Sequence, residues 1–451
     1  MKRTLIKHAT VINEGGRRLS DVLVASGRIE KIAADITAQP GWQMIDAGGL
    51  WLIPGMIDDQ VHFREPGLTD KGTIASESMA AVAGGITSFM EMPNVIPPTT
   101  TRQALRNKFQ LASQHSWANY SFWFGATNDN LDELCALQAN ESCGVKVFMG
   151  ASTGNMLVDN ERVLGNIFQH APGIVATHCE DTPLIKHNET QWRGKFGDDI
   201  PAREHTFIRS AEACLRSSSL AVSLAKKYGT HLHVLHITTA DELRLFAPAS
   251  TPEALKNKTI TAEACVHHLC FNQEDYSSLG HKLKTNPSVK EFSHQQALRQ
   301  AVKEGVIDII ATDHAPHLVH EKQQPYLLAP SGMPLVQHAL PALFDLCHKG
   351  IFTPEQIVCK TSHAVAQRFQ IRDRGFIREG YWADLVLINP RATLQVEKDA
   401  LLYKCGWSPF EGRRLRGGKV VMTLVNGNII WHDGQIKPAP RGMPLSFCRQ
   451  K

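Results

Sequence analysis

Eight short apolar runs alternate with helix-like stretches between residues 54 and 375, and this repetition restricts the possible folds more than any other feature of the chain. The runs cover residues 56–63, 87–92, 120–125, 144–149, 173–177, 231–236, 259–266 and 306–312. Strands alternating with helices read as βα units around a parallel sheet. Eight of them predict an α/β fold of the TIM-type (β/α)8 barrel kind, whose chemistry collects at the C-terminal ends of the strands. An open doubly wound sheet is the competing arrangement, but no GxGxxG follows any of the runs.

The flanks read differently. Residues 1–53 hold β-type runs at 5–12, 22–24 and 29–32, broken by Gly15-Gly16 and Gly27, and residues 376–451 repeat the pattern at 383–388, 420–425 and 429–431. Asn426-Gly427 marks a tight turn between the last two runs. We therefore expect three parts: residues 1–53 and 376–451 forming a small β-sandwich from both chain ends, and residues 54–375 forming the barrel. A chain of 451 residues, 43% hydrophobic, can fill both cores.

Charge narrows the partners. A net +4 with no dense Lys/Arg run suggests neither nucleic acid nor an anionic membrane, leaving a small molecule. Met1-Lys2-Arg3 leads into mixed polar sequence, and no run of eighteen apolar residues occurs, so the expected location is cytoplasmic. The ten cysteines are scattered without a CxxC pair, as expected for reduced thiols. Cys179 beside His178 and Cys265 near His267 and His268 invite a zinc-thiolate reading, yet small buried core residues are the commoner case.

Residues 55–67 pass from an apolar strand to a polar cluster within thirteen positions. Strict strand alternation puts Asp58, Gln60, His62 and Arg64 on one face and Asp59, Val61 and Phe63 on the other. Other strand ends carry Asn94, Lys146, His178, His236 and Asp313 with His317. A single strand-end histidine is more often structural; several in register on one barrel point to a shared site. Imidazole and carboxylate together suit a divalent metal such as zinc, which lowers the pKa of bound water to about 7. Lys146 has no lone pair as an ammonium. It is either a carbamate formed with carbon dioxide, and then a ligand, or a lysine paired with a carboxylate such as Asp313.

The segments Pro54-Gly55-Met56-Ile57-Asp58 to His62, Val145-Lys146-Val147-Phe148, Thr177-His178, His236 and Ala311 to His317 resemble the cyclic amidohydrolases of the metal-dependent amidohydrolase superfamily. Within it, Val61 to Gly67, Met92-Pro93-Asn94, Val266-His267-His268-Leu269 and Asp313-His314-Ala315-Pro316-His317 are similar to those of the dihydroorotases, a resemblance that runs to Trp407-Ser408-Pro409-Phe410-Glu411-Gly412. It implies reversible hydrolysis of L-dihydroorotate to N-carbamoyl-L-aspartate in pyrimidine (UMP) biosynthesis, by an enzyme that is commonly a homodimer. It further implies metal ligation by His62, carbamylated Lys146, His178, His236 and Asp313, with Asp313 as the proton-transferring residue. Arg64, Asn94 and His317 would hold the substrate carboxylate, and Asn286 would contact the ring.

The chain departs from that family at Gln60, where relatives carry the first histidine of His-x-His. A neutral amide is the poorer zinc ligand, so one firmly bound zinc is expected, with a second weak, displaced or absent. Two alternatives accompany the dihydroorotase reading. One is a hydantoinase, dihydropyrimidinase or allantoinase acting on an uncharged ring; the other is a catalytically silent structural partner of aspartate transcarbamoylase. The loop at 151–156 is either a substrate-covering loop or a plain connector.

Overall fold

The computed structural model describes residues 3–152, 154–249 and 251–449. Five strands precede the barrel: β1 Arg3–Asn13, β2 Gly16–Ala25, β3 Arg28–Ala33, β4 Gln43–Asp46 and β5 Trp51–Pro54. The barrel strands are β6 Met56–Val61, β7 Ile86–Glu91, β8 Asn119–Gly125, β9 Gly144–Phe148, β10 Ile174–His178, β11 His231–Val234, β12 Ile260–Cys265 and β13 Ile309–Ala311. They form one parallel sheet in sequence order. It curls back on itself through a parallel bridge between Val61 and His314, where the His62 amide donates to the His314 carbonyl at 2.7 Å. All eight expected strands are present. The last is shorter than expected because Gly305, at φ 78°, turns the chain out of the preceding helix and Asp308 is drawn to Lys258 at 2.7 Å.

The two chain ends meet in a nine-stranded sheet. After the barrel come β14 Leu385–Asn389, β15 Leu394–Gln395, β16 Arg414–Leu415, β17 Lys419–Val425, β18 Asn428–His432 and β19 Gln435–Ile436. The strand order is β19-β18-β17-β14-β5-β1-β2-β3, with β4 added beside β1 and β15 pairing separately with β16. Asn426 and Gly427 both have positive φ, the requirement of a type I′ hairpin turn. Asp384 ties this sheet to the barrel by accepting from the Asn426 amide at 2.8 Å and from the Asn119 side chain at 3.1 Å.

Strict alternation fails in β6. Its register against β7 slips between Asp58 and Val61, a β-bulge. The extra residue sends Asp59 into the barrel, where its carboxylate lies 3.2 Å from His233 of β11, while Asp58 turns to Thr312. Among the described residues no helix is long and apolar enough to cross a membrane.

At the end of β7 a buried ion pair supports the rim of the barrel. Lys108 Nζ lies 2.8 Å from Glu91 Oε2, and Glu91 Oε1 accepts from the Phe63 amide at 3.1 Å, fixing the backbone between His62 and Arg64. Removing one partner strands a buried charge. Lys108→Met is therefore expected to destabilise the protein by about 3–5 kcal/mol, read from the urea midpoint at constant m-value.

Candidate active site

One cavity of about 270 Å³ opens at the C-terminal ends of the barrel strands. His62, Lys146, His178, His236 and Asp313 line it, with Gln60 among them. Arg64, Asn94, Asn286 and His317 line it as well, so side chains from residue 60 to residue 317 share one space. Three of them depend on unusual backbone: Arg64, His236 and Asp313 have φ of 72°, 40° and 52°. Non-glycine residues there are strained by about 1–3 kcal/mol and recur at functional sites. No periodicity in the sequence signals that strain.

The imidazoles present lone pairs to the cavity. His62 Nδ1 lies 2.8 Å from Asn94 Oδ1 and donates to it, leaving Nε2 as an acceptor facing Asp313 Oδ1 at 3.1 Å. Burial pulls the His62 pKa down despite Asp313, so the ring is neutral and two acceptors confront each other. A bound cation would join them. His178 Nε2 lies 2.7 Å from Glu180 Oε2, which accepts its proton and frees Nδ1. The His178 and His236 rings stand 4.5 Å apart, and His236 Nδ1 is buried without a hydrogen bond. Burial, then His178 and Lys146, hold His236 well below the usual imidazole range. Lys146 forms no ion pair with Asp313 or any other carboxylate among the described residues, and burial brings its pKa down to about 8. These donor sets fit a divalent metal, and the orphaned His236 nitrogen and the confronting His62 and Asp313 atoms are the observations that say so.

The opposite wall is cationic. Arg64 is buried, its Nε donates to the Pro316 carbonyl at 3.0 Å, and its Nη2 lies 3.0 Å from His317 Nε2. Lys71 Nζ approaches the other ring nitrogen of His317 at 3.2 Å. Burial, then Arg64, keeps His317 well below its ordinary pKa, and its Nε2 also lies 3.1 Å from the Ser331 carbonyl, so the one proton and one lone pair of the neutral ring are divided among Arg64, Lys71 and Ser331. Lys71 has Glu321 at 2.6 Å. Arg64 has no carboxylate partner among the described residues, and its guanidinium faces the cavity unneutralised. Asn286 Oδ1 is buried there without a partner.

Two supporting carboxylates, Glu180 and Glu77, carry no motif signal of their own. Glu180 holds His178 and is itself paired with Arg209. His314 accepts from the Leu335 amide through Nδ1 and donates through Nε2 to Glu77 at 2.9 Å. Glu180 sits two positions beyond His178, close enough that a carboxylate ending the same strand could have been read as its partner; Glu77, on a distant helix, could not. Ala151 lines the cavity, and Asn155 in the same loop donates to Asp129 at 2.6 Å, while Thr153 lies outside the described residues. The Cys179 thiol is pushed up to about 11 and Cys265 is raised too, both by burial, so neither is a thiolate. Two further sets of buried ligand-type atoms lie within 4.8 Å of one another: Cys265, His267 and His268, and Asp59, His233 and Glu263.

Comparison with known proteins places the geometry in context. A profile described as the amidohydrolase family matches residues 173–430. A dihydroorotase from Methanosarcina acetivorans is 31% identical over 444 residues, covering 96% of this chain and 93% of its own. An allantoinase from Streptomyces avermitilis is 30% identical over 448 residues, covering 98% of each. Among solved structures, the L-hydantoinase (dihydropyrimidinase) from Arthrobacter aurescens superposes with a TM-score of 0.92 at 25% identity, over 99% of this chain and 100% of that one.

Thr312 offers a test that needs no substrate. Its hydroxyl donates to Asp58 Oδ2 at 2.6 Å and accepts from the His314 amide at 2.9 Å, bracketing Asp313. Thr312→Val leaves a carboxylate oxygen and an amide buried without partners, so a loss of about 1–3 kcal/mol is expected. Equilibrium unfolding checks it.

Proposed function

The chain belongs to the amidohydrolase family, and from that premise we propose that it is a dihydroorotase, reversibly hydrolysing the ring amide of L-dihydroorotate to N-carbamoyl-L-aspartate in pyrimidine synthesis. The observation that carries the choice of substrate is Arg64, a buried guanidinium at the cavity wall with no carboxylate paired to it among the described residues. A neutral hydantoin or dihydropyrimidine ring would leave it uncompensated, whereas the dihydroorotate carboxylate supplies a charge-assisted pair of hydrogen bonds. Asn94 and His317 are the neighbouring carboxylate contacts in this reading, and Asn286 meets the ring.

Zinc is the metal this donor set suits, with Lys146, His178 and His236 as one set of ligands and His62, Lys146 and Asp313 as the other. As a carbamate Lys146 would be a ligand, and the pKa of its amine, brought down by burial to about 8, supports carbamate formation, which consumes the neutral form. When bound, zinc supplies Lewis acidity toward the amide oxygen and acidifies water. Asp313 accepts a proton from the water whose oxygen attacks the ring carbonyl carbon. As the C–N bond breaks, Asp313 returns that proton to the leaving nitrogen. Arg64 holds the far end of the substrate, so the reacting amide is delivered to Asp313 in one orientation.

Two outcomes are expected. Arg64→Ala should raise KM for dihydroorotate by about a hundredfold, the loss of roughly 3 kcal/mol of charged hydrogen bonding, with the metal content unchanged. Faster turnover of hydantoin, dihydrouracil or allantoin than of dihydroorotate by the native protein would refute the assignment, and bound zinc without turnover in either direction would mark a silent relative. Gln60→His replaces an amide by an imidazole in the second ligand set. Zinc per chain should then rise toward one additional equivalent, measured by plasma mass spectrometry after dialysis.

A further inference from the structure

Deeper in the barrel, one residue before Gln60 and three before His236, a second group of ligand atoms converges. Thr261 Oγ1 gives its own proton to the Leu232 carbonyl at 3.3 Å and accepts from His233 Nδ1 at 2.8 Å. In the neutral ring His233 Nε2 is thereby the bare nitrogen, 3.2 Å from Asp59 Oδ2 and 3.4 Å from Glu263 Oε2. Burial lowers its pKa, but the two carboxylates outweigh that and raise it, so the group draws positive charge to this point. All three side chains are fully buried, and neither Asp59 oxygen accepts a hydrogen bond. A proton on Nε2 meets two carboxylates at 3.2 and 3.4 Å, longer than a charge-assisted hydrogen bond of about 2.7–2.9 Å, and serves neither well. A divalent ion serves both. Zinc bonds of about 2.1 Å in a tetrahedron put neighbouring ligand atoms about 3.4 Å apart, which matches the two separations in this group.

We propose that Asp59, His233 and Glu263 bind a divalent transition-metal cation, with zinc suited to one imidazole and two carboxylates, at a structural site distinct from the cavity above it. The surrounding contacts are those of a built site. Thr261 fixes the His233 tautomer, the Trp123 indole donates to the Asp59 carbonyl at 2.9 Å, and Glu263 Oε1 accepts from the His236 amide at 3.0 Å. Hydrogen bonds of this kind orient ligands and set their basicity. The ion would fasten β6 to β11 and β12 across the barrel interior and, through Glu263, brace the backbone of His236.

The test is a pair of anomalous-difference maps collected above and below the zinc edge on crystals of the full-length protein prepared with zinc. The expected result is a zinc peak about 2.1 Å from Asp59 Oδ2, His233 Nε2 and Glu263 Oε2, whether or not the protein turns over any substrate. Zinc analysis should show Asp59→Asn losing one equivalent per chain relative to the native protein, and His178→Ala retaining that equivalent. Density confined to the cavity, or no peak at either place, overturns the proposal; because the map uses the native chain, a poorly folding Asp59 variant does not decide the matter.

Discussion

The barrel closes on one buried seam, and the site exists only when that seam is made. Asp58 at the start of the chain's first barrel strand accepts from both the amide and the hydroxyl of Thr312, at 3.1 and 2.6 Å, across a sequence separation of 254 residues. Burial raises the Asp58 pKa well above the usual carboxylate range, and the Thr312 hydrogen bonds act against that rise. The same closure brings His62 Nε2 to 3.1 Å from Asp313. Contacts so remote in sequence gain nothing until the intervening strands are in place. The paired ligands are thus a product of complete folding, with no local segment able to hold them.

A similar economy governs the wall opposite Asp313. Two buried lysines there form no ion pair with a carboxylate among the described residues. Lys284 Nζ donates to the Tyr326 and Ala329 carbonyls, and Lys322 Nζ donates to the carbonyls of Lys284, Pro330 and Gly332. Ser331 and Gly332, which line the cavity, are held in place by this lacing of backbone carbonyls. Burial, then Lys284 and Arg64, depress Lys322 well below its ordinary value. These lysines therefore shape the loop through backbone carbonyls.

Legibility in the sequence depends on whether a feature is set locally or by distant contacts. Apolar runs flanked by helical stretches carry a periodicity, so the eight strands and the type I′ turn at Asn426-Gly427 could be read directly. The residues sharing the cavity could be named because they fall at strand ends, a place that topology alone defines. The bulge at Asp59 could not, because one inserted residue leaves the composition of a strand unchanged while reversing the face of every residue after it. Nor could Glu77, whose bond to His314 joins a helix to a loop 237 residues away. The left-handed backbone of Arg64, His236 and Asp313 is likewise invisible, since only a few per cent of non-glycine residues adopt it, even though Asp and His do so more often than most.

Charge balance links the neutral Gln60 to the proposed chemistry. A Lys146 ammonium beside Arg64 would leave the cavity positive against the single carboxylate of Asp313, and a divalent ion would find little there to bind. As a carbamate the same residue changes from cation to anion. The carbamate, Asp313 and a substrate carboxylate then carry three formal negative charges, while one divalent ion and Arg64, whose pKa burial lowers only to about 10, carry three positive ones. A second divalent ion in the cavity would leave an excess of positive charge in a water-poor space, where uncompensated charge is expensive. An amide in place of an imidazole weakens the binding of that second ion without adding charge of its own. Deeper in the barrel Asp59 and Glu263 flank the His233 Nε2 that one further divalent ion would join to them, so the two ions would be held apart, each by its own set of ligands.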